Sequence, residues 1–262
     1  MNTYMIDMHS HLPERDKTSY EEQLREVELK KESGILTCYS CGSPKEWEEL
    51  SDFLDREEVY GTFAIHPWFA HLYQVSDYMD IFPGCRAVGE LGLDGSMSEA
   101  PLSVQKKVLE QQLRIAADLK KPIVVHSDGR ERETVEMILD YPGKILMHWF
   151  PGEPDLVEKL LDKDCYFTLG PDSSRIGRDC GFLGNEKTHS ARKLLMDQIP
   201  LNRVFFETDG LEAIAWALNL EKAENTMIPE ILSENMQYFA ERRGIELEKL
   251  QLQVMDNFKE FC

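Results

Sequence analysis

His9 and His11 stand two residues apart in Asp7-Met8-His9-Ser10-His11. Side chains alternate across an extended strand, so both imidazoles face the same way and offer two nitrogen ligands to one cation. Four further ligand types each close a short apolar run: Glu90 in Gly89-Glu90-Leu91-Gly92, His126 after Ile123-Val124-Val125, His148 after Ile145-Leu146-Met147, and Asp209 in Glu207-Thr208-Asp209. A histidine taken singly is more often a hydrogen-bonded structural residue than a ligand. Four histidines and two carboxylates recurring at equivalent places are hard to read that way. Mixed imidazole and carboxylate ligands suit zinc, manganese, iron or, with more water in the shell, magnesium. Six ligands fit two divalent cations bridged by Glu90, with His9, His11 and Asp209 on one ion and His126 and His148 on the other. Such a pair activates water and clamps both oxygens of a displacement. Asp209 is the best candidate to orient the attacking water or accept its proton. His66, in Ile65-His66-Pro67, is not needed as a ligand and is expected to polarise the scissile group or bind an oxyanion; the alternative is a histidine that fixes the turn before Pro67.

The elements that must position these residues alternate along the chain. Candidate strands are Tyr4 to His9, Ile35 to Tyr39, Tyr60 to Ile65, Ala87 to Leu91, Ile123 to His126, Ile145 to His148, Tyr166 to Leu169 and Val204 to Glu207. Candidate helices are Ser19 to Lys31, Pro44 to Leu54, Ser103 to Leu119, Glu131 to Leu139, Glu153 to Asp162, Ser190 to Gln198 and a carboxy-terminal pair from about Pro229. The third of these carries an apolar face of Val104, Val108, Leu109, Leu113, Ile115, Ala116 and Leu119, and Pro122 ends it. Eight strand-then-helix units predict an α/β fold, a (β/α)8 TIM barrel with additional C-terminal helices, whose strand ends converge on one mouth. The ligands fall at the ends of strands one, four, five, six and eight. The irregular stretch Gly170 to Thr188 contains Arg175, Arg178 and Lys187 and is expected to be a substrate lid or wall. Arg130, Arg132, Arg175 and Arg178 are the candidate phosphate contacts. Trp68, Trp149, Phe150 and Trp216, near strand ends, are candidates to stack on a base or sugar.

At 262 residues and 42% hydrophobic composition the chain suits one barrel domain. No apolar run of about 18 residues spans a bilayer, and Asp7, His9 and His11 come too early for a signal-peptide core, so a soluble, unprocessed, cytoplasmic protein is expected. The six cysteines are scattered, which argues against a disulfide framework. Cys38-Tyr39-Ser40-Cys41 has CxxC spacing without a second CxxC and is expected to be packing. His71 and His189 are expected at the surface or rim. A net charge of −19 disfavours broad attraction to nucleic acid, so such a substrate would depend on bound metal and a few basic groups.

With those residues placed, the sequence resembles the TatD family of metal-dependent deoxyribonucleases, a branch of the amidohydrolase-like barrels, over nearly the whole chain. Asp7 to Leu12 is similar to the family's opening DxHxHL, Ile65-His66-Pro67 to its third-strand element, and Val88 to Asp94 to VGEIGLD. Val125-His126-Ser127 is similar to VIHS, His148-Trp149-Phe150-Pro151-Gly152 to HCFTG, and Glu207-Thr208-Asp209 to ETD. The resemblance implies phosphodiester hydrolysis, magnesium-dependent in most members, with Glu90 bridging two metals and water attacking phosphorus. The chain departs from the pattern where Gly95-Ser96 follow GLD, where Asp128 follows Ser127 with Arg130 two places later, and where Gly210-Leu211 follow ETD. All three departures lie on the substrate side, while every metal position is kept.

Three functions compete on these grounds. A DNA-cleaving nuclease, with catalytic Asp209, Glu90 and His66 and substrate contacts from His66, Arg130, Arg175 and Trp149, requires basic groups at the mouth. An amide, lactone or other small-molecule hydrolase with the same binuclear site calls for a small closed pocket with at most one arginine. A non-catalytic barrel holding metal only for stability would have lost ligands, and none is lost. No membrane and no obligate protein partner is expected.

Overall fold

The computed structural model describes residues 5–175 and 186–262. Eight parallel strands run in sequence order: β1 (Met5–Ser10), β2 (Ile35–Cys41), β3 (Val59–Phe63), β4 (Ala87–Asp94), β5 (Ile123–Asp128), β6 (Ile145–Met147), β7 (Cys165–Leu169) and β8 (Val204–Phe206). Helices α1 (Tyr20–Glu32), α2 (Pro44–Ser51), α3 (Leu102–Asp118), α4 (Glu131–Ile138), α5 (Pro154–Leu161), α6 (Glu186–Gln198) and α7 (Gly210–Ala217) alternate with them except between β3 and β4, which short 3-10 turns connect. Two more, α8 (Met227–Arg243) and α9 (Leu247–Phe261), follow as the expected carboxy-terminal pair. The expected (β/α)8 barrel is therefore the observed architecture. Every residue of β4, β6, β7 and β8 is buried, as parallel strands covered on both faces must be.

The first and last strands meet without a regular ladder. The Asp209 N–H donates to the His9 carbonyl at 3.0 Å. The Asp7 carboxylate accepts the Thr208 N–H at 2.8 Å and its hydroxyl at 2.7 Å. Asp7 is fully buried, and Lys30 of α1 balances its charge from 3.2 Å. The same ammonium lies 3.3 Å from Glu26 and donates to Ser10 Oγ at 2.9 Å, so the seam is held by a buried polar network.

Local signals set the helix starts. Ser19 and Glu22 form a reciprocal capping box before α1, and Ser43 caps α2 with Pro44 in its first turn. On α3 the buried face is less apolar than expected, because Gln105 and Gln112 are buried and Leu119 is 37% exposed. Gln112 bonds both backbone groups of Ile65, at 2.6 and 3.2 Å, and Gln105 bonds both of Asp94, at 2.9 and 3.1 Å. These glutamines fix the backbone beside His66 and at the end of β4, where a helix with an all-apolar face would leave it unpaired.

Other expectations need correction. The helix Gly210–Ala217 was not foreseen, and the strands carrying His148 and Asp209 end before those residues. Helix α6 begins four residues earlier than expected, so the long irregular segment is shorter. It keeps a short 3-10 turn at Ser173–Arg175, while Arg178 and most of the expected lid lie outside the described residues. His189 is buried rather than at the rim, whereas His71 is exposed as expected. Phe150 is buried against Phe167 and does not line the mouth. Cys38 and Cys41 are buried, with Cys38 Sγ packed 3.9 Å from Met8 Sδ, in keeping with a packing role. No helix among the described residues is long and apolar enough to cross a membrane.

Candidate metal centre

All six expected ligands converge. His9 Nε2 lies 3.2 Å from His11 Nε2, 3.4 Å from Glu90 Oε2 and 3.4 Å from Asp209 Oδ1. His11 Nε2 lies 3.5 Å from Glu90 Oε2 and 3.3 Å from Asp209 Oδ1. Five of the six edges between these four atoms thus fall between 3.2 and 3.5 Å. Within this four-atom tetrahedron, the His9, His11 and Glu90 atoms share a point about 2.0–2.1 Å from all three, the distance at which a divalent cation binds imidazole nitrogen and carboxylate oxygen. Asp209 Oδ1 is buried without a hydrogen-bond partner, an arrangement expensive to maintain unless a cation takes its lone pairs. The donor set therefore fits a metal ion.

Glu90 divides its carboxylate between two groups. Oε2 faces the tetrahedron, while Oε1 lies 2.8 Å from His126 Nδ1, 3.4 Å from His148 Nε2 and 3.7 Å from His66 Nε2. His148 sits at the border, because a ring nitrogen also lies within 4.8 Å of His9 and Asp209 ligand atoms and its ring stacks on His9 at 3.9 Å. His66 groups with Glu90 and His126, closer to the ligand set than a substrate contact requires. Its tautomer separates it from them. Nδ1 accepts the Trp68 N–H at 3.2 Å, so in the neutral ring the proton sits on Nε2, which then presents a donor. Burial drives the His66 pKa down to about 4, outweighing the pull of Glu90 and keeping the ring neutral.

For His126 and His148, two buried carboxylates instead leave the inward-facing nitrogen free of the neutral ring's proton. Asp94 Oδ2 faces His126 Nε2 at 3.0 Å, leaving Nδ1 to point at Glu90. Glu207 Oε2 faces His148 Nδ1 at 3.1 Å, leaving Nε2 to point inward. Such partners orient ligating imidazoles and raise their basicity. Reading the sequence for ligands alone passed over both, although Asp94 shares the Glu90 face of β4, four residues on, a spacing that could have revealed it.

Backbone geometry serves the same cluster. A Cβ on Gly92 would stand 1.9 Å from the His126 carbonyl oxygen, so only glycine lets β4 approach β5 at this point. Asp209 (φ 56°) and Trp149 (φ 37°) both adopt the left-handed region that non-glycine residues avoid. Residues at a functional site are where such strain is retained.

The carboxylates also charge the imidazoles. Burial opposes protonation of His9 and His126, yet Glu90 and Asp209 raise the first to about 9, and Asp94 and Glu90 raise the second to about 10. Burial would raise Glu90, but His148, His66 and His9 hold it well below the usual carboxylate range; Asp209 is lowered against burial by the same kind of neighbours.

The expected substrate contacts are less uniform. The Arg130 guanidinium donates to Glu133 at 3.0 Å, and Arg132 is taken by Asp155 at 2.8 Å and Glu153 at 3.3 Å. Arg175 is exposed. Trp149 donates its indole N–H to buried Asp172 at 3.0 Å, and buried Arg192 chelates that same carboxylate. Its ring meets Trp216, 55% exposed, at 5.8 Å.

Known proteins share this framework. Over 176 residues the chain is 37% identical to the human 3'-5' RNA nuclease TATDN2, a match covering 63% of this chain and 21% of that one. The chain thus spans about a fifth of that relative's length. It is 26% identical over 200 residues to the 3'-5' ssDNA/RNA exonuclease TatD of Citrobacter rodentium, covering 73% of this chain and 72% of that one. The crystal structure of YJJV, a TatD homolog from Escherichia coli k12, superposes with a TM-score of 0.78 at 18% identity, over 100% of this chain and 98% of that one. The family described as TatD related DNase matches residues 6–262, a span that takes in β1 from its second residue, α9 and every strand end bearing a ligand; the chain belongs to that family.

Proposed function

We propose that this chain is a divalent-metal-dependent nuclease of one barrel domain, hydrolysing phosphodiester bonds of DNA or RNA with two cations bridged by Glu90. The observation that carries the reading is the division of Glu90, with one oxygen 3.4 and 3.5 Å from His9 and His11 and the other 2.8 and 3.4 Å from His126 and His148. Magnesium, manganese or zinc would serve, and when bound such ions lower the pKa of water and neutralise charge on the phosphate. His9, His11 and Asp209 would hold one and His126 and His148 the other. Asp209 presents Oδ1 to the tetrahedron and, kept ionised, has Oδ2 to orient water and take its proton. His66 Nε2–H is a neutral donor for a phosphoryl or leaving oxygen, with its proton fixed there by the Trp68 N–H.

The names of the relatives, RNA nuclease and ssDNA/RNA exonuclease, support a nucleic-acid substrate. The amide or lactone alternative calls for a closed pocket. His11, Trp68 and Trp216, with 34% of the His11 side chain exposed and the two tryptophans 43% and 55% exposed, describe an open mouth instead. Free thiols at Cys38, Cys41, Cys85, Cys165 and Cys262 support a reducing compartment such as the cytoplasm.

The test is metal-free protein restored with magnesium, manganese or zinc and assayed on single-stranded DNA, double-stranded DNA and RNA beside Glu90→Gln and Asp209→Asn. Metal-dependent cleavage by wild type and loss of at least 100-fold in both variants is the expected result. Two ions bound per chain without cleavage of any phosphodiester would refute the substrate class.

A further inference from the structure

Trp68 follows His66-Pro67 in a short 3-10 turn and is 43% exposed, yet its indole is not loose. Nε1–H donates to Asp94 Oδ2 at 2.8 Å, and the ring meets His66 edge-on at 4.8 Å. Asp94 Oδ1 accepts the N–H groups of Ser96, Met97 and Ser98 at 2.8, 2.6 and 3.0 Å. Ser98 Oγ then donates to the Pro67 carbonyl at 2.8 Å. One buried carboxylate and one hydroxyl thus tie the Trp68 turn to the loop carrying Met97, which is 70% exposed. The ring contact continues from His66 to His126 at 4.6 Å, so this apolar shelf adjoins the ligands around Glu90 Oε1.

Resting on the nuclease reading, we propose that Trp68 is the platform on which the unpaired base next to the scissile phosphodiester stacks. Three observations choose that occupant. The shelf borders the residues assigned to the reacting phosphate. Its anchored indole loses little freedom on binding a flat ring, which favours a stacking partner over a flexible one. Two of the four arginines expected to hold phosphates are already engaged, Arg130 by Glu133 and Arg132 by Asp155 and Glu153, in a chain of net charge −19, while Arg175 is exposed. With so little cationic surface to draw on, base contacts add to substrate affinity. A base stacks on protein only when its face is free, so the shelf selects unpaired ends and accepts any base.

The test compares oligonucleotides of one sequence whose terminal residue either carries its base or is an abasic analogue, under manganese. Wild type is expected to favour the base-bearing end in kcat/KM by about 5- to 150-fold. In Trp68→Ala that ratio should collapse to about one, and in Trp68→Phe, which keeps a ring but no N–H, an intermediate ratio should remain. Manganese titration of each variant verifies an intact fold. A Trp68→Ala protein that binds manganese and still discriminates as wild type does overturns the shelf. So does wild-type cleavage of both ends at equal rates, which leaves the nuclease reading standing. Cleavage of neither oligonucleotide by wild type overturns both.

Discussion

Asp94→Asn isolates the orientation of one ligand from its chemistry. The carboxylate is 2% exposed and uses both oxygens: Oδ2 faces two N–H groups, of His126 and Trp68, and Oδ1 faces three backbone N–H groups. An amide of the same shape satisfies only one side. If its oxygen keeps the backbone loop, its NH2 confronts two donors, and His126 must move its proton to Nδ1, the atom 2.8 Å from Glu90 Oε1. That proton would occupy the lone pair needed by the ion on this side. A hydrogen bond to a charged group contributes about 1.5–3 kcal/mol, so metal affinity on the Oε1 side should fall about 10- to 150-fold. The tetrahedron of His9, His11, Glu90 Oε2 and Asp209 does not touch Asp94, and its affinity should hold. Titration of metal-free protein with manganese, following free ion by electron paramagnetic resonance, should turn two tight sites into one tight and one weak. Loss of both sites together, or of neither, refutes the reasoning.

The pH dependence of metal uptake follows from the raised imidazoles. His9 and His126 hold protons up to about 9 and about 10 in the metal-free protein, and a ligating imidazole must be neutral, so binding at neutral pH should expel protons. Calorimetry in buffers of different ionisation enthalpy should show that release and show it fading above those values; its absence at neutral pH would contradict the assignment. Because the folded pKa values lie above the ordinary histidine value, these protons stabilise the metal-free fold below about pH 6.5. That stability should be lost as pH rises through 9 to 10, seen as a falling Tm in chelator. Lys30→Met leaves Asp7 and Glu26 buried without their cation, a cost of about 3–5 kcal/mol. Its Tm should drop by roughly 10 °C, and Glu26→Gln added to it should recover part; a single variant melting with wild type would show the seam network to be dispensable.

The fold was legible because eight strand patterns recur with helix patterns between most of them, and local periodicity is what a sequence displays; the β3–β4 link, built of 3-10 turns, carries no such pattern. The ligands were legible for a related reason, since a polar residue closing an apolar strand points at the barrel mouth. What escaped reading depends on partners distant in the chain. Nothing beside Arg132 announces that Asp155 and Glu153 will claim its charge, whereas Glu133 stands at i,i+3 from Arg130 and could have been read as its partner. Asp94 and Glu207 were visible as motif letters, but their task exists only through His126 and His148, on other strands. Helix α7 was missed although Asp209 with Glu212 three residues on is an opening signal, because Asp209 was read as a ligand; in the fold it stands left-handed at φ 56° and makes no side-chain cap.

The seam between β1 and β8 gives the centre a second consequence. Asp7 and Thr208 meet across 201 positions of sequence, and His9, His11 and Asp209 flank that junction. A cation shared by these three side chains would act as a cross-link between the first and last strands. By the chain-entropy relation for a loop of that size, such a link restricts the unfolded chain by about 5 kcal/mol at most. Because the closing contact is among the most non-local in the molecule, its loop-closure entropy is high and the centre is expected to assemble late. Capture of such an ion would then seal the barrel, and metal supply would bear on how long the assembled fold survives.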